Sequence, residues 1–305
     1  MAQGKVLVAG ITGMIGRELA KSLLDRGCEV HGVARFSRPG SREEIAGWGV
    51  TTWQRDLVTD PLDDLPDFNY VFHEAVFWNK TKAGAEDKQA VLFNNTAAAG
   101  RLMYRWRDAQ GILLASTGGL YTESTDRLNE DTPIQPNPDR QNYHLAKLAE
   151  EQVGVFCSVQ FHTPTVILRY FWPVRFEAVA KRCVEAVLAG KPMPGVDAEE
   201  PFEWTPIDMA DLIDYTARSV EVAAVPPRVL VCGGPELVTR RQLTQIAADV
   251  LGKKPVFENP DDFYWERFLA DSSRLYSLLG EPKKRLTDVV RRMAEEAREA
   301  KERTL

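Results

Sequence analysis

Cysteine is scarce. Cys28, Cys157, Cys183 and Cys232 are the only four in 305 residues, and they are scattered without metal-ligand spacing. That excludes a disulfide framework, points to no metal site, and predicts reduced thiols in a cytoplasmic protein. No apolar run reaches the length of a membrane span. Cations are outnumbered, 38 Lys and Arg against 44 Asp and Glu, for a net charge of -6. No basic face is evident, so nucleic acid is not an expected partner. There is no internal repeat and no low-complexity segment. No signal peptide is expected, because the N-terminus leads directly into a strand pattern. With 44% hydrophobic residues, the chain can bury one large α/β domain, or one with a small satellite.

Glycine is placed with purpose near the start. Val6 to Ala9 form a continuous apolar run, as in a strand buried on both faces. Gly10, Gly13 and Gly16 follow at three-residue spacing, and Leu19, Leu23 and Leu24 then recur at helical spacing. Strand, glycine turn and helix make a phosphate cradle. Glycines let the backbone approach a pyrophosphate, and the helix N-terminus presents free N–H groups. The turn residues Gly10, Thr12, Gly13, Met14, Ile15 and Gly16 are therefore candidates to hold a dinucleotide. A purely structural glycine turn is the competing reading.

Strands and helices alternate to about Leu168. Apolar or β-rich runs at Lys5–Ala9, Glu29–Ala34, Tyr70–Phe72, Gly111–Ala115 and Thr165–Leu168 flank helical stretches at Ile15–Asp25, Gln89–Asp108 and Asn142–Phe156. Such alternation predicts a parallel sheet covered on both faces by helices. After Trp172 the pattern changes. Val174–Ala189, Asp208–Val220 and Arg240–Leu251 read as helices, and Trp204–Ile207 and Val229–Cys232 as strands. Gly190–Pro201 is rich in proline, glycine and acid, and Asp288–Arg303 reads as an exposed helix packing on one side. The expected division is a dinucleotide-binding domain over 1–172, with 203–233 returning to it. A smaller substrate-binding region would take 173–202 and 234–305.

Of eight tyrosines only Tyr143 has a lysine four residues later, Lys147, on the same helical face. Ser116-Thr117 closes the strand at Gly111–Ala115, and in an open parallel sheet such strand ends form the ligand crevice. A hydroxyl there, followed by a Tyr/Lys helix, suggests carbonyl–alcohol chemistry. The Lys147 ammonium would lower the pKa of Tyr143 from about 10. Tyr143 would then trade a proton with a substrate oxygen that Thr117 holds. The bland alternative is a surface tyrosine beside a solvated lysine.

At these residues the chain resembles the extended short-chain dehydrogenase/reductases, the NAD(P)-dependent epimerase/dehydratase group. The resemblance runs through "VAGITGMIG" (Val8–Gly16), "RDL" (Arg55–Leu57), "VFHEAV" (Val71–Val76), "NNTAAAGRLM" (Asn94–Met103), "LLASTGGLY" (Leu113–Tyr121), "YHLAK" (Tyr143–Lys147), "LRYFWPV" (Leu168–Val174), "WTPIDMADLI" (Trp204–Ile213) and "VTRRQL" (Val238–Leu243). It implies a doubly wound parallel Rossmann sheet with a smaller C-terminal α/β region. It also implies that Asp56, with Leu57, meets the adenine, that Ala75 lies along the cofactor, and that Thr117, Tyr143 and Lys147 are catalytic. Lys147 would also bind the nicotinamide ribose, and Asn95 would help hold neighbouring strands. Apart from the resemblance, His73 reads as a packed strand-end histidine and Asp208 as a helix cap.

Departures narrow the substrate. Gly118-Gly119 follow Thr117 where dehydratases carry an acid pair, so dehydration is not expected. Trp172 and roughly Phe202 stand where sugar-nucleotide members carry an asparagine and an arginine that grip the diphosphate; Arg169 and Arg175 are the remaining cations nearby. Glu74 is unusual, since an apolar residue is common there. Phe77, Trp78, Gly118, Tyr121, Trp172 and Trp204 are candidates to line an aromatic substrate pocket, with ordinary core packing as the alternative for each ring.

The leading expectation is an NADP-dependent oxidoreductase that interconverts a secondary alcohol and a ketone on a small molecule or atypical sugar derivative. The alternative is an NAD(P)-dependent sugar or nucleotide-sugar epimerase using the same three residues. A non-catalytic NADP-binding regulator is a third reading, against which the intact Thr/Tyr/Lys set argues. The cofactor expectation rests on Arg35, nineteen residues beyond Gly16, where an acid would accept from both ribose hydroxyls of NAD. An arginine suits a 2′-phosphate, and Arg38 adds a second cation. NAD stays possible if Arg35 merely stacks on adenine. A homodimer is expected from the resemblance, through the helices at Gln89–Asp108 and Asn142–Phe156, with Leu102, Met103, Trp106, Leu148 and Val155 as apolar surface.

Overall fold

A computed structural model describes residues 4–78, 87–121, 124, 126–134, 142–194, 203–258 and 269–302. In chain order its elements are β1 (Lys5–Ala9), α1 (Met14–Asp25), β2 (Glu29–Ala34), α2 (Ser41–Ala46), β3 (Thr51–Gln54), β4 (Tyr70–His73), α3 (Lys88–Arg105), β5 (Gly111–Thr117), α4 (Asn142–Phe161) and β6 (Thr165–Tyr170). They continue through β7 (Pro173–Val174), α5 (Phe176–Ala189), β8 (Pro192–Pro194), β9 (Glu203–Trp204), β10 (Ile207–Asp208), α6 (Met209–Ser219) and β11 (Arg228–Cys232). The last are β12 (Val238–Thr239), α7 (Arg240–Leu251), β13 (Val256–Glu258), α8 (Ser273–Leu279) and α9 (Leu286–Glu302).

Two compact units result. One takes Met1–Leu120, Pro133–Tyr170 and Ile213–Leu230, and the other takes Tyr121–Thr132, Phe171–Leu212 and Val231–Leu305. The piece that returns to the first unit is thus shorter than the 203–233 read from sequence. Tyr121–Thr132 belongs to the second unit because Leu128 exchanges backbone hydrogen bonds with Leu269 and Asp271.

The first unit is built on a seven-stranded sheet of order β11-β6-β5-β4-β1-β2-β3, in which β1 to β6 pair in parallel. The strand order reverses beside β1 and β4, and ligands bind outside the carboxyl ends of the strands at such a switch point. The apolar runs explain the interior strands. Val6 to Ala9 and Val166 to Leu168 are all buried, since helices cover both faces. β3 escaped the sequence reading because it is an edge strand with one neighbour. Its residues, Thr-Thr-Trp-Gln, are exposed or half-buried and form no apolar run. The short α2 was missed for a similar reason, with only Ser41 and Ile45 buried.

α3 and α4 pack side by side, but not with the surface expected of them. Leu102, Met103 and Trp106 are buried in the core of the first unit, and Val155 packs against it. They face inward because the helix stripe they form lies over β4 and β5, where Val71, Ile112 and Leu114 meet it. The apolar residues left exposed on these helices are Leu92, Phe93, Tyr104, Leu145, Phe156 and Val159.

The second unit centres on α5, α7 and α9, whose apolar stripes meet around Phe176, Val184, Leu243, Ala247 and Val290. α9 gives Leu286, Val289, Val290 and Ala294 to that core, a deeper insertion than its charged sequence suggested. Asp208 caps as expected and does more. Its carboxylate accepts from the N–H of Ala210 at the start of α6 and from that of Phe176 at the start of α5, at 3.0 and 3.2 Å. Among the described residues, no helix is long and apolar enough to cross a membrane.

A buried ionic cluster fastens three elements of the first unit. Glu151 of α4 accepts from Arg169 of β6 at 3.0 and 2.7 Å and from the hydroxyl of Ser116 of β5 at 2.5 Å. Both charged residues are nearly inaccessible. A bidentate pair with a third hydrogen bond satisfies the geometry that buried charges demand. Arg169 is thereby committed to Glu151. Removing one partner leaves a buried charge unmatched, so Glu151→Ala should lower the unfolding free energy by about 3–5 kcal/mol. Equilibrium urea unfolding checks this; a loss below about 1 kcal/mol would contradict it.

Candidate active site

The turn after β1 has the close packing that glycine permits. Gly10 has φ +84°, and a Cβ there would lie 2.5 Å from the backbone of Ala75. At Gly16 a Cβ would meet the carbonyl oxygen of Gly10 at 2.4 Å. The turn is closed by a hydrogen bond from Gly13 N–H to Gly10 oxygen, 2.9 Å. Gly13 is the N-cap of α1, no side chain caps that end, and the first turn carries no acid. The helix terminus thus keeps its donors and partial positive charge for an anion. Met14 opens the helix and is exposed, while Ile15 is half-buried.

A cavity of about 200 Å³ runs from this turn along the strand ends. Gly10, Thr12, Gly13, Arg35, Asp56, Leu57, Ala75 and Phe77 are among its lining residues. Asp56 also closes its own turn by accepting from Val58 N–H at 2.8 Å. Asn95 of α3 holds the segment after β4. Its side-chain oxygen accepts from Phe77 N–H and its amide donates to Phe77 oxygen, at 2.9 and 2.8 Å. A second cavity of about 260 Å³ adjoins Thr12 and is lined by Arg17, Arg35, Phe36, Ser37, Arg38 and Ser41. Glu44 pairs with both Arg17 and Arg38 there. The Arg35 guanidinium lies 5.9 Å from the centre of the Phe77 ring. Arg17 and Ser41 went unassigned in the sequence, although Arg17 directly follows Gly16 and so projects from the first turn of α1. A tight glycine turn, an open helix terminus, a carboxylate and a cation pocket together fit a dinucleotide.

Thr117, Tyr143 and Lys147 all lie in the first unit, Thr117 as the last residue of β5 and the other two on the first turns of α4. The Thr117 hydroxyl oxygen accepts from Gly119 N–H at 3.1 Å. Gly119 is a close approach as well, since a Cβ there would lie 2.3 Å from the ring of His144. Trp78 stacks on Tyr143 with ring centres 5.7 Å apart and planes 21° apart.

Lys147 is almost wholly buried, and its ammonium pairs with the Glu150 carboxylate at 2.7 Å. Burial opposes the charge on Lys147, but Glu150, Tyr143 and Glu74 together hold it above the ordinary lysine value. The effect on Tyr143 differs from the sequence expectation. Burial pushes its phenol up, Lys147 pulls it down, and Glu150 and Glu74 push it up again, so the balance lies above the ordinary value. The lysine alone was legible in "YHLAK"; the carboxyl three residues beyond it was overlooked.

Two further titratable groups close this cluster from β4 and the residue after it. His73 is fully buried, and burial with the Lys147 charge drives it down to about 3, so it is neutral. Its Nε2 stands 3.6 Å from Glu150 Oε1, past hydrogen-bond reach. That is the packed histidine expected at the strand end. Glu74 accepts from the Tyr170 hydroxyl at 2.8 Å, and that hydroxyl lies 3.0 Å from Thr216 Oγ1. Burial pushes the Glu74 carboxyl up to about 8, with the Tyr170 hydrogen bond and Lys147 opposing.

The aromatic candidates divide between the two units. Phe77 and Trp78 belong to the first unit, with Phe77 on the cavity that runs from the glycine turn and Trp78 half exposed over Tyr143. Tyr121, Trp172 and Trp204 belong to the second. Tyr121 is fully buried against Phe171, with its hydroxyl donated to Asn129 oxygen at 2.8 Å, so it is a core ring and not a pocket wall. Trp204 is likewise in the core of the second unit, with Trp172 edge-on to it at 6.4 Å. Gly118 is buried in the turn after β5. Phe202 lies outside the described residues. Among the described residues no cluster of side chains could hold a metal ion.

Residues 6–175 match the model of the NAD dependent epimerase/dehydratase family. The chain belongs to that family. It is accordingly an NAD(P)-dependent enzyme of the extended short-chain dehydrogenase/reductase type. Family folds agree over the whole length. The UDP-glucuronic acid 4-epimerase of Bacillus cereus, solved with UDP-glucuronic acid and NAD, superposes with a TM-score of 0.73 at 23% identity, covering 97% of this chain and 99% of that one. The UDP-glucose 4-epimerase of Thermus thermophilus, solved with NAD, gives 0.72 at 23% identity, over 97% and 99%. The UDP-N-acetylglucosamine 4-epimerase of Methanobrevibacter ruminantium, solved with UDP-N-acetylmuramic acid, gives 0.75 at 20% identity, over 99% and 100%. No curated protein matches the chain.

Proposed function

We propose that this protein is an NAD(P)-dependent epimerase that inverts a secondary alcohol on a sugar or nucleotide sugar through a transient ketone. The observation that carries the reading is the placement of Thr117, Tyr143 and Lys147 at the sheet's carboxyl edge, in a chain whose structural neighbours are nucleotide-sugar 4-epimerases. The bound dinucleotide supplies the hydride acceptor and donor. It is held by the glycine turn, Thr12, Met14 and Ile15, by Asp56, Leu57 and Ala75, and by Lys147. Thr117, whose oxygen already accepts from Gly119, donates a hydrogen bond to the substrate oxygen. Tyr143 takes the proton from that oxygen and returns it after the carbon has presented its other face. Phe77, Trp78 and Gly118, all of the first unit, are the substrate contacts proposed.

A second reading, a reductase or dehydrogenase that releases its ketone or alcohol, keeps the same three residues. It is favoured by the commitment of Arg169 to Glu151, which leaves a diphosphate with fewer cations. Incubation with UDP-glucose, UDP-glucuronic acid or UDP-N-acetylglucosamine separates the two. The expected result is a C4 epimer, seen by NMR, with no net reduction of cofactor. Stoichiometric reduction without epimer would establish the second reading. Tyr143→Phe should cut turnover by about 10²–10⁴ with cofactor affinity nearly unchanged, the usual range for a positioned acid/base. Near-normal turnover would remove Tyr143 from the mechanism.

The cofactor proposed is NADP in preference to NAD, through Arg35 and Arg38 on the cation pocket. A charge-assisted contact contributes about 1.5–3 kcal/mol, so the preference should be on the order of ten- to a hundredfold. Arg35→Ala should erase most of it and leave NAD affinity almost intact. Dissociation constants for both cofactors, from fluorescence titration, decide this; equal affinities in the unaltered protein would refute it.

A cytoplasmic location fits four buried thiols, none of them joined in a disulfide. We also propose a homodimer through α3 and α4, on the exposed Leu92, Phe93, Tyr104, Phe156 and Val159. Light scattering at micromolar concentration should give twice the chain mass, and Phe93→Glu with Phe156→Glu should halve it. A monomer before substitution would end the idea.

A further inference from the structure

Arg17 reaches the cation pocket from α1, whereas Arg35 and Arg38 reach it from the segment after β2. Its own N–H donates to Gly13 oxygen at 3.0 Å, which sets it in the helix turn that follows the glycines. Thr12 and Arg35 line both this pocket and the cavity that runs from the glycine turn. Phe36 is buried and has φ +50°, a left-handed backbone that bulky residues seldom adopt. The turn it makes brings Arg35, Ser37 and Arg38 round one cavity. Strain of this kind persists where the surroundings impose it, often at ligand sites.

The cations differ in how they are held. The Arg17 guanidinium lies 4.8 Å from the centre of the Trp48 ring and pairs with Glu44. Trp48 is half-buried, two residues beyond α2. The Arg17 side chain is 23% exposed and that of Arg38 64%, so Arg17 is the better anchored of the two. An arginine fixed before its ligand arrives loses less rotamer freedom on binding. Resting on an indole also keeps its N–H edge for an anion. Lys21, one turn further along α1, lies 4.6 Å from the same ring but lines neither cavity.

We propose that Arg17 is a specificity-determining residue for a phosphate on the adenosine ribose, and that Trp48 is the positioning residue that sets its guanidinium. The identity of the ligand rests on the NADP reading above. The competing anion is the pyrophosphate of the dinucleotide, since α1 opens beside the glycine turn. A contact there would serve NAD and NADP alike.

Fluorescence titration with NADPH and NADH, and competition by 2′,5′-ADP and 5′-AMP, test the assignment; each pair differs by the 2′-phosphate. In Arg17→Ala the dissociation constants of NADPH and 2′,5′-ADP should rise by about tenfold or more, with NADH and 5′-AMP little changed. Arg17→Lys keeps the charge, loses the fork, and should recover only part of the loss. Trp48→Leu should weaken the same two ligands by about two- to fivefold, with Trp48→Phe closer to the unaltered protein. Lys21→Ala should change none of the four. An equal loss for both dinucleotides in Arg17→Ala would assign Arg17 to the pyrophosphate and overturn the proposal. So would a full NADPH preference kept in Arg17→Ala, which would leave the NADP reading standing. A Trp48→Leu loss shared by NADH, or no loss at all, would overturn the role of Trp48. Equal affinities within each pair in the unaltered protein would overturn the NADP reading and this proposal with it.

Discussion

The bidentate pair between Glu151 and Arg169, with Ser116 as its third member, is the interaction on which the site depends. It fixes α4 to β5 and β6 at the level where both strands reach their carboxyl ends. Thr117 is the next residue after Ser116, Tyr170 the next after Arg169, and Glu150 the one before Glu151. A single buried cluster therefore sets the register of three neighbouring functional positions. Helix spacing then does the rest, because Tyr143, Lys147 and Glu150 recur every three or four residues along one face.

Adjacent glutamates on α4 meet opposite demands. Glu151 faces an arginine whose fork matches it with two hydrogen bonds, so its charge is spent on holding the fold. Glu150 faces a lysine, a compact charge that leaves its second oxygen without a hydrogen bond. The first pair has a structural consequence and the second an electrostatic one. A phenol raised by burial and by two carboxyls is a weak acid before cofactor and substrate arrive, and it must give up its proton before it can take one from the substrate oxygen.

Much of this was legible in the chain. The three-residue glycine spacing, the apolar strand runs and the Tyr/Lys pair are local patterns, and the parallel sheet and switch point follow from their alternation. What was not legible depends on distant partners. β3 is an edge strand with no apolar run, and α2 buries only two side chains. The inward stripe of α3 was read as surface because a helix of mixed character has two apolar faces, and only packing says which is covered. Tyr121 was read as a pocket ring because sequence gives its type but not the carbonyl of Asn129 that takes its hydroxyl. The pairing of Lys147 with Glu150 was in plain view at helical spacing; that both would be buried was not.

Glu44 joins Arg17 and Arg38 at the rim of the cation pocket. The pocket thus carries its own counter-ion. An anion entering it takes the place of a carboxylate partner and does not fill a bare positive field. Such an exchange changes the local charge little and releases few mobile ions. Occupancy of this pocket should accordingly depend on ionic strength less steeply than three unpaired arginines would require.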